Sequence, residues 1–177
     1  MGRRTATVTI AFSSGRVVWG SDRGGDVVLD IRFSRALQAM LYLAAAAEGD
    51  GSTVSSGRLA EALGTNPSLV RRLLVPLGAA GLVESTRGRS GGARLARPAG
   101  EITLAEIHRC AVGEKPLWAC SPETEHVCPV TPHAAAYFAG LTADVEQAVQ
   151  ASLEGRTLAD ALREMRGLAS ASGPGSP

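Results

Sequence analysis

Residues 55–97, SSGRLAEALGTNPSLVRRLLVPLGAAGLVESTRGRSGGARLAR, constrain this chain more than any other stretch. Val54, Ser55 and Leu59 have the spacing of a hydrophobic staple around a helix N-cap. Leu59 and Leu63 share a face, and Gly64 suits the left-handed residue that ends a helix. Asn66 is a good N-cap, and Pro67 stands at the first helical position, where its missing N–H costs nothing. Leu69, Val70, Leu73, Leu74 and Leu77 then form an inward stripe, which leaves Ser68, Arg71, Arg72 and Val75 outward. Gly81 stops this helix, residues 82–86 read as a strand, residues 87–92 as a hairpin tip, and residues 93–96 as the return strand. Helix, tight turn, helix and hairpin together predict a winged helix-turn-helix, a module whose second helix enters a DNA major groove. Pro76 is out of place in it. It cannot donate to the carbonyl of Arg72, and an interior proline costs roughly 3 kcal/mol, so a kink or an early 3-10 ending is expected there.

Charge separates along the chain. Residues 55–97 carry seven Arg against two acids, a net +5, whereas residues 98–177 carry five basic against ten acidic residues, a net −5. The formal total of +1 therefore hides a basic segment, the footprint of a nucleic-acid surface, beside an acidic half. Aromatics make up only 4% of the chain, so Ala and Leu must do the packing, which favours closely approaching helices.

The other segments follow from their periodicity. Residues 1–27 are rich in Gly, Ser, Arg and Asp and predict a disordered leader or start-site extension; the alternative is a genuine extra hairpin built from TVTIAF and RVVW. Residues 28–98 are the expected winged helix-turn-helix domain. Its first helix, residues 32–47, places Phe33, Ala36, Leu37, Met40, Leu41, Ala44 and Ala47 at helical spacing. In residues 99–132, Thr103 and Glu106 form a capping box for a helix to about Val112, and a loop containing Cys and His follows. Residues 133–166 predict a long helix and a short final one, and residues 167–177 a disordered tail. In the long helix Phe138, Leu141, Val145, Ala148 and Ser152 recur at the spacing of a coiled-coil seam.

The run from Ser55 through CAVG at residue 113, above all AGLVESTRGRSGGARLARP and EITLAEIHRC, resembles the Rrf-type winged-helix regulators of bacteria. With the helix that begins DIRFSRALQAMLYLA, the resemblance covers roughly residues 29–165. It implies a DNA-binding homodimer assembled through the long helix, with Arg32 and Arg35 at the start of the first helix on the DNA backbone. The family includes repressors of iron–sulfur-cluster assembly, of cysteine metabolism and of nitric-oxide responses. Its cluster-binding members place three Cys at near-regular spacing in one loop. Here nine residues intervene between Cys110 and Cys120 and seven between Cys120 and Cys128, which departs from that pattern. The loop is similar instead to a cluster-free branch whose loop ends in Cys-Pro-Val.

The residues themselves leave three chemistries open at that loop. Cys120, His126, Cys128 and His133 could hold a tetrahedral zinc, although the spacing is looser than a knuckle. Cys128 precedes Pro129 and a helix start, where a helix dipole favours a reactive thiolate, with Cys120 as its resolving partner. Otherwise Cys110 is a small core residue and the others are inert. The expectation is no cofactor, with a cluster or zinc as the alternative. No nucleophile elbow, phosphate-cradling GxxxxGK or HExxH occurs, so an enzyme is not expected. No apolar run reaches the length of a membrane span and no signal peptide is visible, so a cytoplasmic protein is expected.

The reading is a mainly α protein with a small β-hairpin wing: a dimeric, sequence-specific DNA-binding regulator, in the first instance a repressor, on a palindromic operator. Asn66, Ser68, Arg71 and Arg72 are the groove candidates, with Arg87, Arg89 and Arg94 on phosphates or in the minor groove. The alternative is a winged-helix protein–protein module that binds no DNA.

Overall fold

The structure is a computed structural model and describes residues 9–13, 16–20, 27–49, 51, 53–86, 88, 91–113 and 131–171. Strands β1 (Thr9–Ser13), β2 (Arg16–Gly20) and β3 (Val27–Asp30) form an antiparallel sheet in the order β1-β2-β3. The leader expected to be disordered therefore contains the alternative hairpin, and a third strand follows at its boundary with the next segment. Ser13 pairs with Arg16, a two-residue hairpin connection, and both flanking runs are rich in strand-forming residues. Local β propensity outweighed the Gly- and Ser-rich composition.

Three helices follow. Helix α1 (Arg32–Glu48) buries Ala36, Ala39, Met40, Leu43 and Ala44 on one face. Helix α2 (Ser56–Ala62) begins at Ser55, whose Oγ accepts from the backbone N–H of Arg58. Val54 and Leu59 are both buried, as a staple requires. Gly64 has φ +57° and makes the turn into α3 (Pro67–Ala79). Asn66 caps α3 by accepting from the Leu69 N–H at 2.9 Å. Val70, Leu74 and Leu77 of α3 are buried, and Leu69 and Leu73 are half-buried beside them. Helix α3 does not end early at Pro76. It runs to Ala79, and the Ala80 N–H donates to the Pro76 carbonyl at 3.1 Å, so the cost of the missing donor stays confined to Arg72.

The wing is a two-stranded antiparallel hairpin, β4 (Val83–Ser85) with β5 (Ala93–Leu95). Val54 and Ala93 exchange reciprocal N–H···O bonds, each 2.8 Å, and so fasten the wing to the segment before α2. Gly92 permits that approach, because a Cβ there would lie 2.7 Å from the Val54 carbonyl oxygen.

Helix α4 (Leu104–Val112) opens with the expected capping box between Thr103 and Glu106. A matching arrangement, missed in the sequence, opens the last helix. The Thr157 N–H and hydroxyl both donate to Asp160, and the Asp160 N–H returns to Thr157 Oγ1 at 3.1 Å. The two caps are stitched together, since Leu104 N–H donates to the Arg156 carbonyl at 2.9 Å and Leu158 N–H to the Ile102 carbonyl at 2.8 Å. Between these helices lies the long α5 (Thr131–Glu154). The last helix, α6 (Leu158–Ala171), buries Leu158, Ala161 and Leu162. It outruns its expected end at Met165, so residues 167–171, expected in a disordered tail, are helical. Gly167 costs only about 1 kcal/mol in a helix, and the favourable Leu168, Ala169 and Ala171 follow it. Among the described residues no helix is long and apolar enough to cross a membrane.

The capping box makes a stability prediction. Burial raises the Glu106 pKa, but the Thr103 N–H, Arg97 and the Thr103 hydroxyl outweigh it and hold the carboxyl below its ordinary value of 4.5. A depressed folded pKa stabilises above the unfolded value and is lost as pH falls through the folded one. Thr103→Ala should therefore cost about 1 kcal/mol at neutral pH in a denaturant titration. The gap between wild type and Glu106→Ala should narrow as the pH is taken below 4.5.

Candidate nucleic-acid interface

The outward side of α3 is the centre of the candidate surface. Ser68, Arg71 and Arg72 are exposed on it, and Val75 is 68% exposed. No acid stands in the first turn of α3, so no carboxylate of that turn offsets the positive end of its dipole. Asn66 has its carbonyl oxygen committed to the cap, which leaves its amide NH2 as the group that could face a base.

Arg35 reaches back from α1 to the α2–α3 turn, donating from Nη1 to Thr65 Oγ1 at 3.3 Å. Arg32, Arg35 and Arg72 line one cleft of about 280 Å³, floored by Leu69, Leu73 and Pro76. The start of α1 and the recognition helix thus form one continuous cationic rim. Arg94 is elsewhere. Its Nε and Nη2 donate to Glu84 Oε2 at 2.9 and 2.7 Å across the wing, and it lines a shallow groove with Glu48 at the far end of α1. The 17 residues of α1 separate the two ends by roughly 24 Å. Arg94 is thus not gathered with the other candidates, and its charge is already opposed by Glu84. Arg87 and Arg89 lie outside the described residues; Gly88 between them is exposed with φ +122°.

Helix α5 presents two faces. Thr142 is buried, its hydroxyl bonded to the Phe138 carbonyl at 2.7 Å, and Leu153 packs against the core. Gln150 bonds His108 Nδ1 at 2.9 Å and accepts from Arg109 at 3.4 Å, so α5 is moored along α4 by polar contacts. The predicted seam lies on the adjacent face. Phe138 and Leu141 are 40% and 37% exposed, Ala148 and Ser152 are exposed, and Val145 is half-buried. Tyr137, absent from the sequence-based seam, extends it at 69% exposed, edge-on to Phe138 at 5.9 Å between centroids.

Of the redox and metal candidates, Cys120, His126 and Cys128 lie outside the described residues, and His133 is exposed near the start of α5. Cys110 is half-buried on α4. Burial first, and then the Glu106 carboxylate, push its thiol up, against a smaller pull from Arg109. Among the described residues no three His, Cys, Asp or Glu side chains converge as a metal site would need.

A helix-turn-helix with a wing and an exposed cationic helix face is the architecture of a DNA-binding transcription regulator. Residues 29–164 match the family model Rrf2, described as iron-dependent transcriptional regulator, and the chain belongs to the Rrf2 family. Over 132 residues it is 33% identical to protein aau3 of Rhizobium meliloti, covering 72% of this chain and 80% of that protein. It superposes on T. potens IscR with a TM-score of 0.56 at 24% identity, covering 85% of this chain and 94% of that one. For the oxidised form of Staphylococcus aureus CymR the TM-score is 0.53 at 27% identity, covering 74% of this chain and 92% of that one. The chain is a DNA-binding transcriptional regulator, and the alternative of a winged-helix module without DNA gives way.

Proposed function

We propose that this regulator is a homodimer that represses transcription by occupying a palindromic operator. The observation that carries the reading is the outward face of α3, where Ser68, Arg71 and Arg72 stand exposed with no acid in the first turn. Arg71 and Arg72 have the reach and fork geometry to pair bidentately with guanine. Arg32 and Arg35, at the rim of the same cleft, suit the phosphates on its flank. Arg87 and Arg89 are the wing's contribution. Affinity for a duplex selected from a random library should fall steeply with salt as phosphate contacts release counterions. Arg71→Ala or Arg72→Ala should cost about 1–3 kcal/mol on that duplex and relax specificity, whereas Arg89→Ala should weaken selected and random DNA alike. Wild-type binding by all three variants would overturn the groove assignment.

The exposed strip of Tyr137, Phe138 and Leu141 on α5 supports self-association, since large contiguous apolar surface on a regulator is costly unless covered. Two copies joined there would present two recognition helices to half-sites about 34 Å apart. Light scattering should find dimers of wild type and monomers of the Leu141→Asp, Val145→Asp double variant, because each unpaired buried ion costs several kcal/mol. A folded dimer of that variant would place the interface elsewhere.

The loop before α5 is the proposed sensor. One relative of known structure is described as an oxidised form, which favours thiol chemistry in this architecture. Cys128 would react with peroxide to give a sulfenic acid and one water, and condensation with the Cys120 thiol would release a second water and form a disulfide. Cys110 suits the reactive-thiol role less well, because it is half-buried on α4 and burial pushes its thiol up. The family description names iron; if this chain holds a metal, Cys120, His126, Cys128 and His133 are the donors on hand. We expect peroxide to change DNA affinity in wild type and not in Cys128→Ser. Protein purified without oxygen should be colourless and free of stoichiometric iron or zinc; visible absorbance with iron would replace the thiol reading by a cluster.

A further inference from the structure

One side chain on the outward face of α3 has no use in the arginine contacts described above. Val75 is 68% exposed, in a helix whose other large apolar residues point inward. At 100° per residue, Val75 falls between Arg71 and Arg72 in angle and close to Ser68, so it stands in the middle of the candidate groove face. Folding does not account for it. An exposed β-branched residue gains little from burial and is a slightly poorer helix former than Ala, Lys or Glu.

Its stiffness matters more than its hydrophobicity. In a helix, valine holds one χ1 rotamer about 90% of the time, so its two methyl groups are presented in a fixed place and lose little entropy on contact. In the major groove every base edge offers hydrogen-bonding atoms, and thymine alone adds a methyl group. A valine pressed on a donor or acceptor would leave it desolvated and unpaired, which is unfavourable. Against the thymine C5-methyl it loses nothing. We propose that Val75 is a specificity-determining residue that reads the C5-methyl of one thymine per half-site. That thymine lies one or two base pairs from the base read by Arg71, since one helical turn, about 5–6 Å, separates the two side chains. The proposal rests on the reading of α3 as the groove helix.

The test uses the full chain and a duplex selected from a random library, with each thymine of one half-site replaced in turn by deoxyuridine. This removes only the methyl group. Wild type should lose about fourfold in affinity at one position, the factor that corresponds to one methyl group returned to water. Val75→Ala should bind the thymine and deoxyuridine versions of that position equally, and should match wild type on the deoxyuridine duplex. Val75→Thr, of similar shape with one methyl replaced by hydroxyl, should retain a reduced sensitivity. A flat deoxyuridine scan of wild type overturns the proposal, as does a methyl effect that persists unchanged in Val75→Ala. In both cases the selected duplex still binds, so the groove reading survives. Failure to select any sequence overturns the groove reading and this proposal with it.

Discussion

Close approach of other elements to α1 is the constraint on which the rest of the structure depends. Ala36, Ala39 and Met40 have no exposed surface, and Leu43 and Ala44 have almost none. The small side chains let α3, α4, α6 and β5 all pack against one helix in a chain with few aromatics to fill gaps. The angle at which α3 presents Arg71 and Arg72 is therefore set from behind, by Val70, Leu74 and Leu77 in the common core.

Two backbone bridges close what side-chain packing begins. The Val54–Ala93 pair holds the wing beside the entry to α2, and the pair joining Ile102 and Leu104 to Arg156 and Leu158 holds the last helix to the start of α4. Each satisfies N–H and C=O groups that would otherwise sit at the edge of a core without partners. Because these bonds are made by backbone, they dictate no side chain, and only Gly92 betrays one of them by its missing Cβ. The second is flanked by Thr103 and Thr157, whose capping arrangements set the direction in which α4 and α6 leave it.

That distinction explains what was legible in the sequence. Signals confined to one helix or turn were readable: the caps at Ser55, Asn66 and Thr103, the Gly64 turn, and the stripe of α3. Composition misled where it competed with local propensity, as in the strands of residues 9–20 and the helical residues 167–171. Among pairings between segments, hairpins of neighbouring strands were readable, but their register and the longer-range bridges were not. The charge count set Arg94 among the DNA contacts, but strand register places it directly opposite Glu84. Periodicity found an apolar seam on α5, yet only the packing against α4 shows which face is spent on the chain's own core and which is left over, Tyr137 included.

The same packing makes α4 the element that joins the two halves of the regulator. His108 is the joint. Its ring stands edge-on to Phe33 at 5.0 Å, in the first turn of α1 beside Arg32 and Arg35, while its Nδ1 is bonded to Gln150 of α5 at 2.9 Å. Arg109 adds a second hold, on Gln150 and Glu154. One side chain thus touches both the helix that exposes the apolar strip and the end of α1 that carries Arg32 and Arg35. The segment between α4 and α5, with Cys120 and Cys128, enters at Val112 and leaves at Thr131, so its two ends are attached to the two partners of this joint. Any change in that segment that slides α5 along α4 must either break the Gln150–His108 bond or carry the His108 ring with it against Phe33. Carrying the ring along would bear on the end of α1 whose arginines share a cleft with Arg72, whereas breaking the bond would release α5 from that end.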